Sequence, residues 1–255
     1  MHRTTHRYGT RRGQVAELLV PDDAPTACPV VVVVHGGFWR AQYTRHLTRG
    51  LARAIAGRGW ATWNIEYARV GPLASGGWPT TLTDVAAAVD ALADRDGLDL
   101  TRVVTCGHSA GGHLALWVAA RGRLDAGDPG ATPRVPVRGA MSLAGMGDLR
   151  AAYERNLGNG AVAGFLGGPP DAVPDRYRAA SPAEHLPLGV PQVLDHGTAD
   201  TVVPCVLSED YAAAARAAGD DVVAVPVVGA DHRAVARPRG DAWAAVVEHL
   251  GRLLA

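Results

Sequence analysis

The sequence predicts an α/β fold: a mostly parallel central sheet of about eight strands, helices on both faces, and a small cap over the sheet top. Three observations carry this. Short β-branched or apolar runs alternate with helix-period segments, the pattern of a parallel sheet joined by crossover helices. Residues 28–34 are apolar without alternation, as expected of a strand covered on both faces. Finally, Gly107-His108-Ser109-Ala110-Gly111 places a glycine-flanked serine between a β-branched run and an Ala/Leu-rich one.

Taken in order, residues 14–20 read as a strand in a first, antiparallel part of the sheet, closed by Pro21-Asp22-Asp23-Ala24-Pro25. Ahead of it, Arg3, Arg7, Arg11 and Arg12 mark a solvated, partly frayed terminus. Strand 28–34 ends in His35-Gly36-Gly37-Phe38-Trp39. A helix follows over 44–56, with Leu47, Leu51 and Ile55 on one face and Gly57 and Gly59 as its stop. Residues 60–67 form a strand, 69–79 a glycine-rich loop carrying Trp78, and 80–95 a helix with Val85, Ala88, Val89 and Leu92 aligned.

Strand 102–106 then leads through Ser109 into helix 114–120, and strand 137–144 leads into Gly145-Met146-Gly147-Asp148. From 148 to about 188 the apolar period weakens and Gly, Pro and Asn accumulate. That is too long for a connection and too short for a domain, so it reads as a cap or lid within a single domain spanning 1–255. Strand 190–194, helix 208–218, strand 222–228 and helix 240–254 complete the chain.

Composition excludes several classes. Lys plus Arg and Asp plus Glu are both 25, so the net charge is zero and neither nucleic acid nor an anionic membrane is the expected partner. Cys28, Cys106 and Cys205 are an odd number without metal-site spacing, which suits a reducing interior. No apolar run approaches a membrane span and the first 25 residues lack a signal-peptide core, so a cytoplasmic protein without cofactor or metal is expected. Whether the chain is a homodimer stays open.

The chemistry centres on Ser109. At a strand-to-helix turn the serine backbone is strained and neighbours crowd in, so small residues are needed two positions before and after, and Gly107 and Gly111 supply them. With 31 glycines and five serines, chance would produce this flanking about one time in fifteen, so the strand before, the helix after and the later loops matter. A serine hydroxyl needs a base oriented by a carboxylate. Later strand ends supply Asp200 and His232, in the order Ser, Asp, His. Asp195 lies within its strand, and Asp231 reads as a turn-capping residue. His113, His185 and His196 read as structural, and His249 sits on the last helix, far from the sheet top. Trp39 and Trp78, beside glycine-rich loops, together with His108 and Met146, are candidate walls of a substrate pocket, with core packing the alternative for both tryptophans.

The stretches His35-Gly36-Gly37-Phe38-Trp39, Gly107-His108-Ser109-Ala110-Gly111-Gly112-His113-Leu114, His196-Gly197-Thr198-Ala199-Asp200 and Gly229-Ala230-Asp231-His232 resemble the α/β-hydrolase superfamily. Within it they are similar to the hormone-sensitive-lipase-like esterases and, more closely, to the kynurenine formamidase branch. The likeness runs from about Val30 to the C-terminus. It implies oxyanion donors at the backbone N–H groups of Gly37, Phe38 and Ala110, and acyl transfer to water from a small ester or aryl-amide. His108 departs from lipase-like members that carry an acid before the nucleophile. Acyl transfer or cyclisation with the same three residues stays open, as does a non-catalytic ligand-binding member of the fold.

Overall fold

The computed structural model describes residues 1–255. Eight strands form one sheet: β1 (His2–Arg7), β2 (Val15–Val20), β3 (Cys28–Val34), β4 (Ala61–Ile65), β5 (Leu98–His108), β6 (Gly139–Leu143), β7 (Gln192–Gly197) and β8 (Val222–Val227). Their spatial order is β1-β2-β4-β3-β5-β6-β7-β8. The β1–β2 and β2–β4 pairs are antiparallel and all the others are parallel.

β3 explains its own composition. Val30, Val32 and Val34 join the core under one set of helices, while Val31 and Val33 join the core under the other. With helices on both faces there is no solvent side for a polar residue to occupy. On the first face lie α2 (Thr80–Asp90), α3 (Ala110–Ala120) and α7 (Val206–Ala217), and on the second α1 (Arg49–Ala56) and α8 (Gly240–Leu254). Residues 148–188 contribute α4 (Leu149–Glu154), α5 (Ala161–Leu166), α6 (Pro174–Ala180) and a 3-10 turn at Pro182–His185. Leu149, Phe165 and Tyr177 seat them in the first core. No helix is long and apolar enough to cross a membrane.

Two expectations are corrected. The arginine-bearing N-terminus is no frayed tail, because His2–Arg7 pairs along its whole length with β2. An edge strand with one open face can be polar throughout, and the alternating exposure of β1 is the trace of that arrangement. The helix expected over 44–56 begins instead as a 3-10 turn at Arg45–Thr48, which rotates Leu47 out to 61% exposure, so of the three aligned apolar residues Leu51 and Ile55 alone are buried.

Candidate active site

The loops that leave the carboxyl ends of β3, β5, β7 and β8 meet at one rim. Ser109 sits between β5 and α3 at φ 59° and ψ −124°, a region that side chains rarely adopt. Sterics explain its two glycine neighbours: a side chain at Gly107 would run into the Gly111 main chain, and one at Gly111 would run into Val34 O and the His35 main chain. The turn is fastened by the Ser109 N–H donating to Leu143 O at 2.8 Å, while Gly112 and His113 donate to Ser109 O at 2.8 and 3.2 Å. Ala110 follows as the first residue of α3, so its N–H belongs to the unpaired start of that helix.

After β3 the chain makes a left-handed turn, with φ of 112°, 50° and 56° at Gly37, Phe38 and Trp39. Gly36 lies so close to the elbow that a Cβ there would stand 2.9 Å from Ser109 Cβ. The N–H groups of Gly37 and Phe38 donate to no protein acceptor. Donors left free beside a serine are placed to receive a developing negative charge.

Asp200 and His232 are brought into contact. His232 Nδ1 donates to Asp200 Oδ2 at 2.6 Å, leaving Nε2 as the lone-pair nitrogen. The other carboxylate oxygen accepts from the Val202 and Val203 N–H groups at 2.8 and 2.9 Å. Burial alone would raise the Asp200 pKa, but the His196 and His232 hydrogen bonds and those two N–H groups together hold it well below the ordinary carboxylate range. His196 is the participant that residue types did not disclose. Its Nε2 donates to Val203 O at 2.8 Å and stands 3.2 Å from Asp200 Oδ2, while the Ser208 hydroxyl donates to Nδ1 at 2.7 Å. Its position four residues before Asp200 was the available signal.

His108 links the serine elbow to the histidine loop. Its Nε2 donates to His232 O at 2.7 Å, and the two rings lie 4.7 Å apart. Burial, and after it the neighbouring His232, pushes its pKa down to about 4, so the ring is neutral at neutral pH. His108 is therefore turned onto His232, where the sequence suggested a pocket wall.

Trp39 and Met146 are corrected as well, since both are fully buried. The positive φ of Trp39 swings its indole inward to stack on Phe165 at 4.5 Å, edge-on to His113 at 5.3 Å. Trp78 is half-buried, and its N–H donates to Phe165 O at 2.8 Å. Phe38 lies against Gly158, whose carbonyl accepts from Arg40. Asp231 caps the 3-10 turn at Ala234–Ala236 by accepting from Arg233 and Ala234 N–H at 2.9 and 2.8 Å. His113 Nε2 donates to Ala180 O at 2.8 Å, joining α3 to the end of α6.

Comparison with known proteins adds to this geometry. The profile of the BD-FAE family matches residues 17–214. The chain is 28% identical over 251 residues to Esterase LipC of Mycobacterium tuberculosis, covering 91% of this chain and 60% of that protein. It is 29% identical over 241 residues to Esterase LipQ of the same organism, covering 84% and 52%. The chain thus spans a little over half the length of these curated relatives. Among solved structures, Thermogutta terrifontis esterase 2 phosphoramylated by tabun has a TM-score of 0.78 at 25% identity, covering 99% of this chain and 93% of that one. A truncated carbohydrate esterase from gut microbiota has a TM-score of 0.82 at 18% identity, covering 98% and 96%, a likeness of fold.

Proposed function

The chain belongs to the BD-FAE family of α/β-hydrolases, and from that premise we propose that it is a serine hydrolase that cleaves small carboxylic esters through an acyl-enzyme on Ser109. The observation that carries the reading is the 2.6 Å His232–Asp200 hydrogen bond, held beside the Ser109 elbow by His108.

In this mechanism His232 Nε2 takes the Ser109 hydroxyl proton as Oγ attacks the ester carbonyl. The Gly37, Phe38 and Ala110 N–H groups receive the oxyanion, each such donor supplying roughly 100-fold to 1,000-fold in rate. The imidazolium returns its proton to the departing alkoxide, and a water deprotonated by the same nitrogen releases the acid. Asp200 keeps His232 in the Nδ1–H tautomer and stabilises the imidazolium. Residues 148–188 act as the lid over this rim.

Relatives support the ester class. The Thermogutta esterase is known in forms phosphorylated by paraoxon and bound to butyrate, as expected for an activated hydroxyl and a short acyl group. The stretch His35-Gly36-Gly37-Phe38-Trp39 with His108 before Ser109 favours aryl-formamides as a second substrate class.

A fluorophosphonate probe with peptide mapping tests the nucleophile, alongside turnover of p-nitrophenyl acetate, p-nitrophenyl butyrate and N-formylkynurenine. The expected result is labelling at Ser109, ester turnover, and a loss of about ten-thousand-fold or more in Ser109→Ala. Labelling that survives Ser109→Ala overturns the reading, and turnover of the formyl amide above the esters would move the substrate class to aryl-formamides.

A further inference from the structure

A buried His35–Glu66 contact that takes no part in the acyl transfer lies beneath the loop after β3. His35 is fully buried, with Nε2 2.9 Å from Glu66 Oε1 and Nδ1 2.8 Å from Gly36 O. Both oxygens are acceptors. The carbonyl has no proton to give, and Glu66 is held below its ordinary pKa because its hydrogen bond and charge interaction with His35, then Arg69 and the Arg45 N–H, outweigh the upward push of burial. The ring is thus held between the Glu66 carboxylate on one side and the Gly36 carbonyl on the other. The Tyr67 hydroxyl is 3.4 Å from Nδ1 but donates to His35 O at 2.8 Å, and its ring stacks on the imidazole at 4.2 Å. Arg45 Nη1 at 4.0 Å and Arg69 Nε at 3.5 Å are the other charged groups facing the Glu66 carboxylate, and the Tyr8 hydroxyl donates to Glu66 O at 2.6 Å.

The consequence lies in the next peptide group. In a trans peptide the C=O and the following N–H point in opposite directions, so a Gly36 carbonyl turned onto His35 sends the Gly37 N–H the other way. That N–H meets no protein acceptor, and Gly36 packs on Ser109. We propose that Glu66 is a positioning residue for the oxyanion loop: through the His35 ring it fixes the Gly36–Gly37 peptide with its N–H toward the acyl oxygen at Ser109. The inference rests on the serine-hydrolase reading above.

Glu66→Gln keeps the shape of the side chain and removes its charge. The expected result is a fall in kcat for p-nitrophenyl butyrate of about 10-fold to 100-fold, smaller than outright loss of a donor, with KM within about twofold. The inhibition constant of a trifluoromethyl ketone, whose adduct carries the oxyanion, rises by the same factor. Unchanged kcat in a folded variant, or a fall in kcat without the matching rise for the ketone, overturns the proposal. Where that variant fails to fold, His35→Gln is the second test: the same paired fall in kcat and rise in the ketone inhibition constant is expected, and either change without the other overturns the proposal. Absence of fluorophosphonate labelling at Ser109 in wild type is a separate result, removing the hydrolase reading and the loop's role with it.

Discussion

Two carboxylates five residues apart, Asp195 inside β7 and Asp200 in the loop that follows, are both buried, with 1% and 9% exposure, yet they live under opposite electrostatics. Asp200 has two imidazoles and two main-chain N–H groups around it, and its pKa is held well down. Neither oxygen of Asp195 has a hydrogen-bond partner; His249 Nδ1 stands 3.9 Å away, and burial raises its pKa to about 7. The difference follows from the backbone. Strand N–H groups beside Asp195 are committed to ladders with β6 and β8, whereas the turn after β7 has N–H groups to spare. Burial makes a charge costly at both places, and the local supply of donors decides whether it persists.

The contrast breaks most visibly in catalysis. Asp200→Asn is expected to lower kcat/KM for p-nitrophenyl butyrate by about ten-thousand-fold, the scale seen when a triad acid is neutralised. Asp195→Asn, whose side chain touches none of the reacting groups, should stay within about threefold. Equal losses in the two variants would remove the distinction between rim and strand.

Next in size is stability. Because the folded pKa of Asp195 is raised to about 7 from 3.8, the native state keeps a proton that the unfolded chain releases. The penalty is absent below about pH 4, grows as pH rises, and is complete above about pH 7; at about 1.36 kcal/mol per unit it approaches roughly 4 kcal/mol. Asp195→Val should therefore stabilise the protein by about 2 to 4 kcal/mol at pH 8 and much less at pH 4, read as urea midpoints at both values. A gain independent of pH would contradict this assignment.

The smallest effect sharpens the Asp200 side. His196→Gln removes the 3.2 Å contact while leaving His232 in place, and a lost hydrogen bond to a charged group of about 1.5 kcal/mol predicts a fall in kcat/KM of about tenfold. A loss as large as that of Asp200→Asn would give His196 the larger share of orienting the carboxylate.

Much of this was legible in the sequence, because the features concerned are local. Gly107 and Gly111 around Ser109 announce a crowded turn, the unbroken valines of β3 announce cover on both faces, and Asp200 and His232 stand just beyond strand ends. What was hidden depends on contacts between distant residues. β1 is polar because its neighbour supplies the pairing, and Trp39 is buried because a left-handed turn faces it toward Phe165, far along the chain. Glu66 directly after a strand was visible, but its partner His35 lies 31 residues earlier and emerges only when β3 and β4 pair. Asp195 was equally visible, and its isolation could be known only from the packing around it.

The stacking of Trp39 on Phe165, with Phe38 against Gly158 and Arg40 on the Gly158 carbonyl, gives the protein a discontinuous unit of exchange. A chimera that takes residues 148–188 from another member without also taking residues 38–40 would set a foreign surface on the segment that carries the free Phe38 donor. Replacement of residues 148–188 is thus tied to a tripeptide more than a hundred positions upstream.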